Sequence, residues 1–124
     1  MTGNQPYLHV ATFLPVRRFR DVPAFIRLAL ASKRQAEAAP GHVASALKAS
    51  LLKRRFWTVS VWRGRAAMVA NTRNAPHSHA VARMADWAGE GACFAEWTDE
   101  AATVDWATAM ARLKQPSFHY RRGG

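Results

Sequence analysis

The sequence predicts an α+β domain of the ferredoxin-like type, β-α-β-β-α-β, with a four-stranded antiparallel sheet and one further helix at its C-terminal end. Three observations predict it. Short runs rich in β-branched and aromatic residues alternate with segments whose apolar residues fall at three- and four-residue steps. The alternation runs strand, helix, strand, strand, helix, strand. Finally, Phe56-Trp57-Thr58-Val59-Ser60-Val61-Trp62 has no face made for water: Trp57, Val59 and Val61 line one side, Phe56, Thr58, Ser60 and Trp62 the other. A sheet with helices on one side normally keeps a solvated face. This strand needs a second covering, and a second copy of the same sheet is the simplest one, giving a symmetric dimer.

Leu8-His9-Val10-Ala11-Thr12-Phe13-Leu14 reads as the first strand, ended by Pro15. Asp21 is placed as an N-cap, and Pro23 suits the first helical turn. That helix turns Val22, Phe25, Ile26, Ala29 and Leu30 inward and runs to about Ala39, where Pro40-Gly41 stops it. Val43 to Leu52 is a weaker second strand, joined to Phe56–Trp62 by a turn at Lys53-Arg54-Arg55. Gly64 opens the second helix, which breaks near Asn74-Ala75-Pro76. It resumes with His77, Ala80, Val81, Met84, Trp87 and Ala88 on one stripe, and Gly89 and Gly91 end it. Ala92 to Trp97 is the fourth strand. Thr103 is expected to cap a last helix that packs Trp106, Ala109, Met110 and Leu113 onto the domain. Residues 1–114 are expected as one domain, and 115–124, basic and glycine-bearing, as a flexible tail.

A chain of 124 residues is one domain by size. No apolar run reaches spanning length, since Phe25 to Ala31 is short and broken by Arg27, and Met1 to Tyr7 is polar. No membrane partner is expected. The single cysteine, Cys93, reads as buried and inert and fits a reducing compartment, so the expected location is cytoplasmic. Eighteen Lys and Arg against eight Asp and Glu give a net charge of +10, which attracts anions in general. The cations gather at Arg17-Arg18-Phe19-Arg20, Lys53-Arg54-Arg55, Arg63 with Arg65, and Arg121-Arg122, where turns and element ends fall. No paired Cys/His spacing, aromatic ribonucleoprotein motif or Gly-x-x-Gly clamp accompanies them, so nucleic acid is not the expected partner.

The Phe56–Trp62 run, Ala66-Ala67-Met68, Ala75-Pro76-His77 with Ala80, Phe94-Ala95-Glu96-Trp97, and Asp105-Trp106 with Ala109 and Leu113 together resemble the dimeric α+β-barrel superfamily. That superfamily is the home of the antibiotic biosynthesis monooxygenases. The nearest pattern is that of a bacterial group similar to spheroidene monooxygenase, a carotenoid-oxidising enzyme that carries haem. The resemblance spans about Tyr7 to Leu113 and implies a homodimer closing an α+β barrel. Members oxidise polyketide quinol precursors without a cofactor, cleave haem, dehydrate aldoximes or bind small molecules. The resemblance therefore implies a fold more than a reaction.

His77 is the first candidate for chemistry, because it opens the apolar stripe and its ring is expected to lean toward the sheet. The resemblance implies either no cofactor or a haem with His77 as axial ligand, walled by Trp62 and Met84. Without haem, His77 serves as a proton shuttle; the plain alternative is a helix cap or a core hydrogen bond. His79 lies on another face and lacks the i, i+4 partner of a metal site. Asn71 and Asn74 stand just before the break, where an amide can bond a quinol or oxygen or simply end a helical turn. Thr58, Ser60, Trp62 and Trp87 are the expected substrate contacts. Hydroxyls on an apolar sheet face need partners when buried, and aromatic walls suit flat apolar ligands, although tryptophans at these spacings equally build cores. Glu96 and Asp99 read as surface charges.

The leading reading is a monooxygenase-like protein that holds an apolar or aromatic molecule between the sheet and the second helix, cofactor-free or haem-dependent. A non-catalytic small-molecule binder or structural dimer is the alternative, since no convincing acid–base set is visible. Anion or nucleic-acid binding through the basic surface is the third.

Overall fold

Period-two and period-3.6 segments alternate as the sequence predicts, and a computed structural model shows how they assemble; it describes residues 6–73, 86–89 and 91–119. The elements are β1 (Tyr7–Pro15), α1 (Val22–Ala38), β2 (His42–Ser50), β3 (Arg55–Trp62), α2 (Arg65–Thr72), β4 (Cys93–Asp99), α3 (Trp106–Leu113) and β5 (Phe118–His119). The strands form one antiparallel sheet in the order β2-β3-β1-β4-β5. Its first four strands are the expected ferredoxin-like set. Segment 115–119, assigned to a tail on sequence, runs back along β4 instead: Phe118 lies opposite Phe94, and Ser117 N–H donates to the Phe94 carbonyl at 2.9 Å.

Register decides what each face carries. Thr12 of β1 lies opposite Thr58 of β3 and Phe94 of β4, and Val10 lies opposite Ser60 and Glu96. Ser60 in turn faces Ser45 of β2. Because side chains alternate, the even-numbered residues of β1, β3 and β4 share one face, and α1 and α2 pack there. Phe25, Ser32 and Ala36 are the buried positions of α1. Val22, Phe25, Ile26 and Ala29 pack inward as expected, and Leu28 joins them in place of Leu30, which is 39% exposed.

The opposite face is covered within the same chain. Ala109 of α3 is fully buried against Ala11, Val59, Ala95 and Trp97, with Val104, Trp106 and Leu113 around it. Alanines on both sides of this contact let the helix approach the sheet closely. The cap of α3 is Asp105, not Thr103: its Oδ1 accepts from the N–H groups of Ala107 and Thr108 at 3.0 and 3.3 Å, and its Oδ2 from the Thr108 hydroxyl at 2.9 Å. A carboxylate satisfies the free N–H groups of a first helical turn better than a threonine two residues upstream can. Phe13 and Trp57 stack at 5.7 Å on this face and stay half-buried.

The other limits differ modestly. The β2–β3 turn occupies Leu51–Arg54, and Arg55 already belongs to β3. Asp21 and Gly64 flank α1 and α2 as expected, although the Asp21 side chain makes no capping bond. Gly41 sits at φ +84, and a Cβ there would lie 2.5 Å from the Ala67 Cβ. The stripe from His77 to Met84 lies outside the described residues; beyond it, Ala88 bridges to Val16.

Two outcomes follow from this packing. Gly41→Ala combines a left-handed backbone with that clash and should lower stability by about 2 kcal/mol or more in urea unfolding. The Thr108 hydroxyl, together with backbone N–H groups, holds the Asp105 carboxyl below its ordinary value of 3.8. A carboxyl depressed in the folded state contributes stability above its unfolded pKa and loses it as pH falls through the folded one. The stabilisation from α3 should therefore decline below pH 3.8, and Asp105→Asn should flatten that acid limb of the unfolding profile.

Candidate ligand cavity

The centre of the helix-bearing sheet face carries short side chains. Thr12, Thr58, Ser60 and Ser45 are brought side by side by the strand register. Large apolar groups stand at the two ends of the same face. At one end Phe56 packs with Phe25, Val16 and Trp87, and with Leu14 and Leu28 beside them. At the other, Leu8 and Trp62 pack with Ala36, Ala67 and Met68. The two clusters hold the helices at the height of an aromatic ring, and the short residues between them cannot fill that height. A cavity of about 560 Å³ results, within the range that encloses a small organic ligand.

Its floor includes Val10, Thr12, Thr58, Ser60, Trp62 and Phe94; its roof includes Phe25, Ala29 and Ser32 of α1, Met68 and Asn71 of α2, and Trp87. The four expected substrate contacts, Thr58, Ser60, Trp62 and Trp87, thus lie on one wall system together with Asn71. Asn74, His77 and Met84 lie outside the described residues, as does His79.

The polar groups on this wall divide into satisfied and unsatisfied ones. The Trp62 indole N–H donates to Ser60 Oγ at 2.9 Å. Gln35 Nε2 donates to both the backbone carbonyl and Oδ1 of Asn71, at 2.8 and 3.0 Å, which fixes the amide and leaves its NH2 as the donor end. Ser32 Oγ and Ser45 Oγ are buried on the cavity wall without a hydrogen-bond partner. Buried hydroxyls are normally bonded, so a ligand with polar edges has two groups waiting for it.

Sequence reasoning missed Glu96. Its side chain is 17% exposed, lines the cavity and forms an ion pair with Arg65. The signal was present: Cys93, Ala95 and Trp97 alternate as one apolar face, which sends Phe94 and Glu96 to the other. Asp99 is exposed and accepts from the Ala101 N–H at 2.8 Å, as a surface charge would. Lys33 and Arg73 are the cations on the described wall, and Lys33 is engaged with Glu37 at 2.8 Å, a bond that lowers the Glu37 pKa from 4.5.

Among the described residues no histidine lines the cavity. His9 lies on the α3 face, stacked on Trp97 at 5.4 Å with Nε2 2.8 Å from the Ala101 carbonyl. His42 meets Trp62 edge-on at 5.4 Å, its Nε2 buried without a partner, and burial holds its pKa below 6.5. Cys93 is buried, which pushes its thiol above the usual 9.0, as befits an inert residue. No cluster of three His, Cys, Asp or Glu side chains suited to a metal ion occurs among the described residues.

No protein-family model and no curated protein matches this chain. Solved structures do. A conserved protein from Methanosarcina mazei Go1 superposes with a TM-score of 0.65 at 9% identity, covering 76% of this chain and 93% of its own. A protein assigned as an antibiotic biosynthesis monooxygenase from Nitrosomonas europaea gives 0.65 at 17% identity, with 80% and 94% covered. A cofactor-independent oxygenase from Streptomyces nogalater gives 0.58 at 11%, with 77% and 93% covered. At these identities the likeness establishes the fold alone. That fold is the one of the antibiotic biosynthesis monooxygenase-like proteins.

The two classes of hydroxyl should respond differently to removal. Ser60→Ala strands the buried Trp62 N–H and should cost about 1–3 kcal/mol of stability. Ser32→Ala deletes a hydroxyl that bonds nothing and should leave the urea midpoint unchanged or raised.

Proposed function

We propose that this protein binds a flat, mostly apolar molecule with polar edges in the cavity between sheet and helices, and oxygenates it as a homodimer without a cofactor. The observation that carries the reading is the strip of short hydroxyl side chains between two aromatic-rich clusters, with Ser32 and Ser45 left unbonded. A hydrophobic core gains nothing from such groups; a ligand that bonds them removes the cost. The cofactor-independent oxygenase on the same fold supports the choice of reaction.

A substrate of this class carries an acidic C–H or O–H beside a conjugated ring. The protein's part is to exclude bulk water and take that proton, leaving a delocalised anion that gives electrons to O2; one oxygen atom forms the new C–O bond and the other leaves as water. Glu96 is the carboxylate on the described wall, positioned by Arg65, and serves as the proton acceptor in this reading. The Asn71 NH2 donates to the developing oxyanion. The half-buried Phe13–Trp57 stack beside α3 is the surface on which a second copy closes the barrel.

Haem is the other cofactor state that the resemblance implies. The described wall offers the Met68 sulfur and no imidazole or thiolate, so these residues by themselves do not fit a haem. A non-catalytic binder of the same ligand class is the second reading, favoured by the engagement of Glu96 with Arg65.

A hydroxylated anthrone is a suitable probe. Its binding should quench the fluorescence of Trp62 and Trp87, and oxygen uptake should exceed that of buffer without added metal or haemin. Glu96→Gln should lower turnover by roughly 10²-fold while quenching persists; quenching without any oxygen uptake in the wild type selects the non-catalytic reading. Added haemin that gives an absorption band lost in His77→Ala, but kept in His79→Ala, selects the haem state. Sedimentation equilibrium should return twice the 13.8 kDa chain mass.

A further inference from the structure

Two of the basic runs meet at one end of the sheet, away from any role in the cavity. Pro15 at the end of β1 lies opposite Arg55 at the start of β3, so the Leu51–Arg54 turn and the β1–α1 connection leave the sheet side by side. Val16 N–H donates to the Arg54 carbonyl at 2.8 Å, and Arg54 Nε returns a bond to the Val16 carbonyl at 3.1 Å. Arg54 holds φ at 55, and its guanidinium carbon lies 4.4 Å from the centre of the Phe19 ring. These contacts join the two loops into one tip.

Three large apolar side chains stand on that tip in water: Leu52 is 88% exposed, Phe19 59% and Leu51 58%. Tight turns favour Asn, Asp and Gly, and adjacent leucines at this apex bury nothing. Arg18 and Arg20 flank Phe19 in the chain, Lys53 and Arg55 follow the two leucines closely, and all four are exposed. The nearby acids are Asp21, half-buried, and Asp86, whose backbone carbonyl accepts from Arg17 Nη2 at 2.8 Å. The tip therefore joins exposed apolar side chains to four exposed cations on the same two loops and the strand start beside them.

We propose that this tip docks on an anionic lipid bilayer, with Leu51, Leu52 and Phe19 entering the boundary between headgroups and acyl chains and the four cations lying against lipid phosphates. Exposed aliphatic groups flanked by Lys and Arg are the pattern of peripheral, interfacial attachment. Nucleic acid fits less well. Single strands stack their bases on aromatic faces, the one aromatic here carries Arg54 on its ring, and leucines make no directional contact with a base or a phosphate. Attachment of this kind revises the expectation of no membrane partner without a spanning segment, and no helix among the described residues is long and apolar enough to cross a bilayer. The inference does not rest on the ligand reading.

The test is co-sedimentation of the full chain with vesicles. Phosphatidylcholine vesicles carrying about 30% phosphatidylglycerol should pellet the protein, and pure phosphatidylcholine should not. Leu51→Ser with Leu52→Ser should weaken that binding about tenfold with the unfolding temperature unchanged. Lys53→Glu with Arg55→Glu should weaken it similarly, as should high salt. Failure to pellet with anionic vesicles overturns the proposal. So does binding that the double serine variant leaves intact, or a tighter, leucine-independent affinity for an oligonucleotide, because each assigns the patch to charge alone. None of these results bears on ligand binding in the cavity.

Discussion

The height at which α1 and α2 stand above the sheet governs the rest of this molecule. Phe56 with Phe25 and Trp87 at one end, and Trp62 with Leu8 and Met68 at the other, act as two props. Between them Thr12, Thr58, Ser60 and Ser45 are too short to reach the helices. Close packing normally removes such a gap, and here the covalent continuity of β1 and β3 forbids it. The strands cannot sag in the middle while both ends are propped. The cavity is a geometric result of residue size along a strand, and its hydroxyl lining makes it more than a void.

The same strand serves a second core. Val59 and Val61 are as deeply buried as Phe56 and Trp62, on the face where α3 seats Ala109 against Ala11 and Ala95. The absence of a wet face on β3 is therefore satisfied inside one chain. In the homodimer proposed above, the partner's task is narrower, the half-buried Phe13 and Trp57 beside the helix. This division also explains the alanines: a helix laid directly on a sheet needs small residues at the contact, whereas helices set over a cavity need large ones at its ends.

Charge is segregated from this interior. The described cavity wall carries Glu96 against Arg65 and Lys33 against Glu37, so its ionic groups are largely neutralised in pairs. Arg18, Arg20, Lys53 and Arg55, which form no ion pair among the described residues, lie instead on the loops that carry the exposed leucines and Phe19 or directly beside them. The two proposals meet in chemistry, because a molecule apolar enough for this cavity is one that partitions into lipid.

The alternation of periods along the chain was enough to determine the ferredoxin-like element order. The alternation within Phe56–Trp62 was enough to sort its side chains into two buried faces. Both are local properties of backbone geometry, repeating every 2 or about 3.6 residues, and local properties are legible in a sequence. Thr58, Ser60, Trp62, Trp87 and Asn71 could be named as candidates for the same reason. Which strand stands opposite which, and in what register, depends on contacts between residues far apart in the chain, so only the tertiary structure could bring Ser45 beside Ser60 and set Glu96 level with Val10 across the sheet. The return of residues 115–119 along β4 and the meeting of Phe19 with Arg54 were decided in the same way, whereas the Asp105 cap of α3 is local, its carboxylate bonding N–H groups two and three residues on. Both meetings join segments far apart in the chain, and such contacts are settled by where the rest of the fold places the backbone.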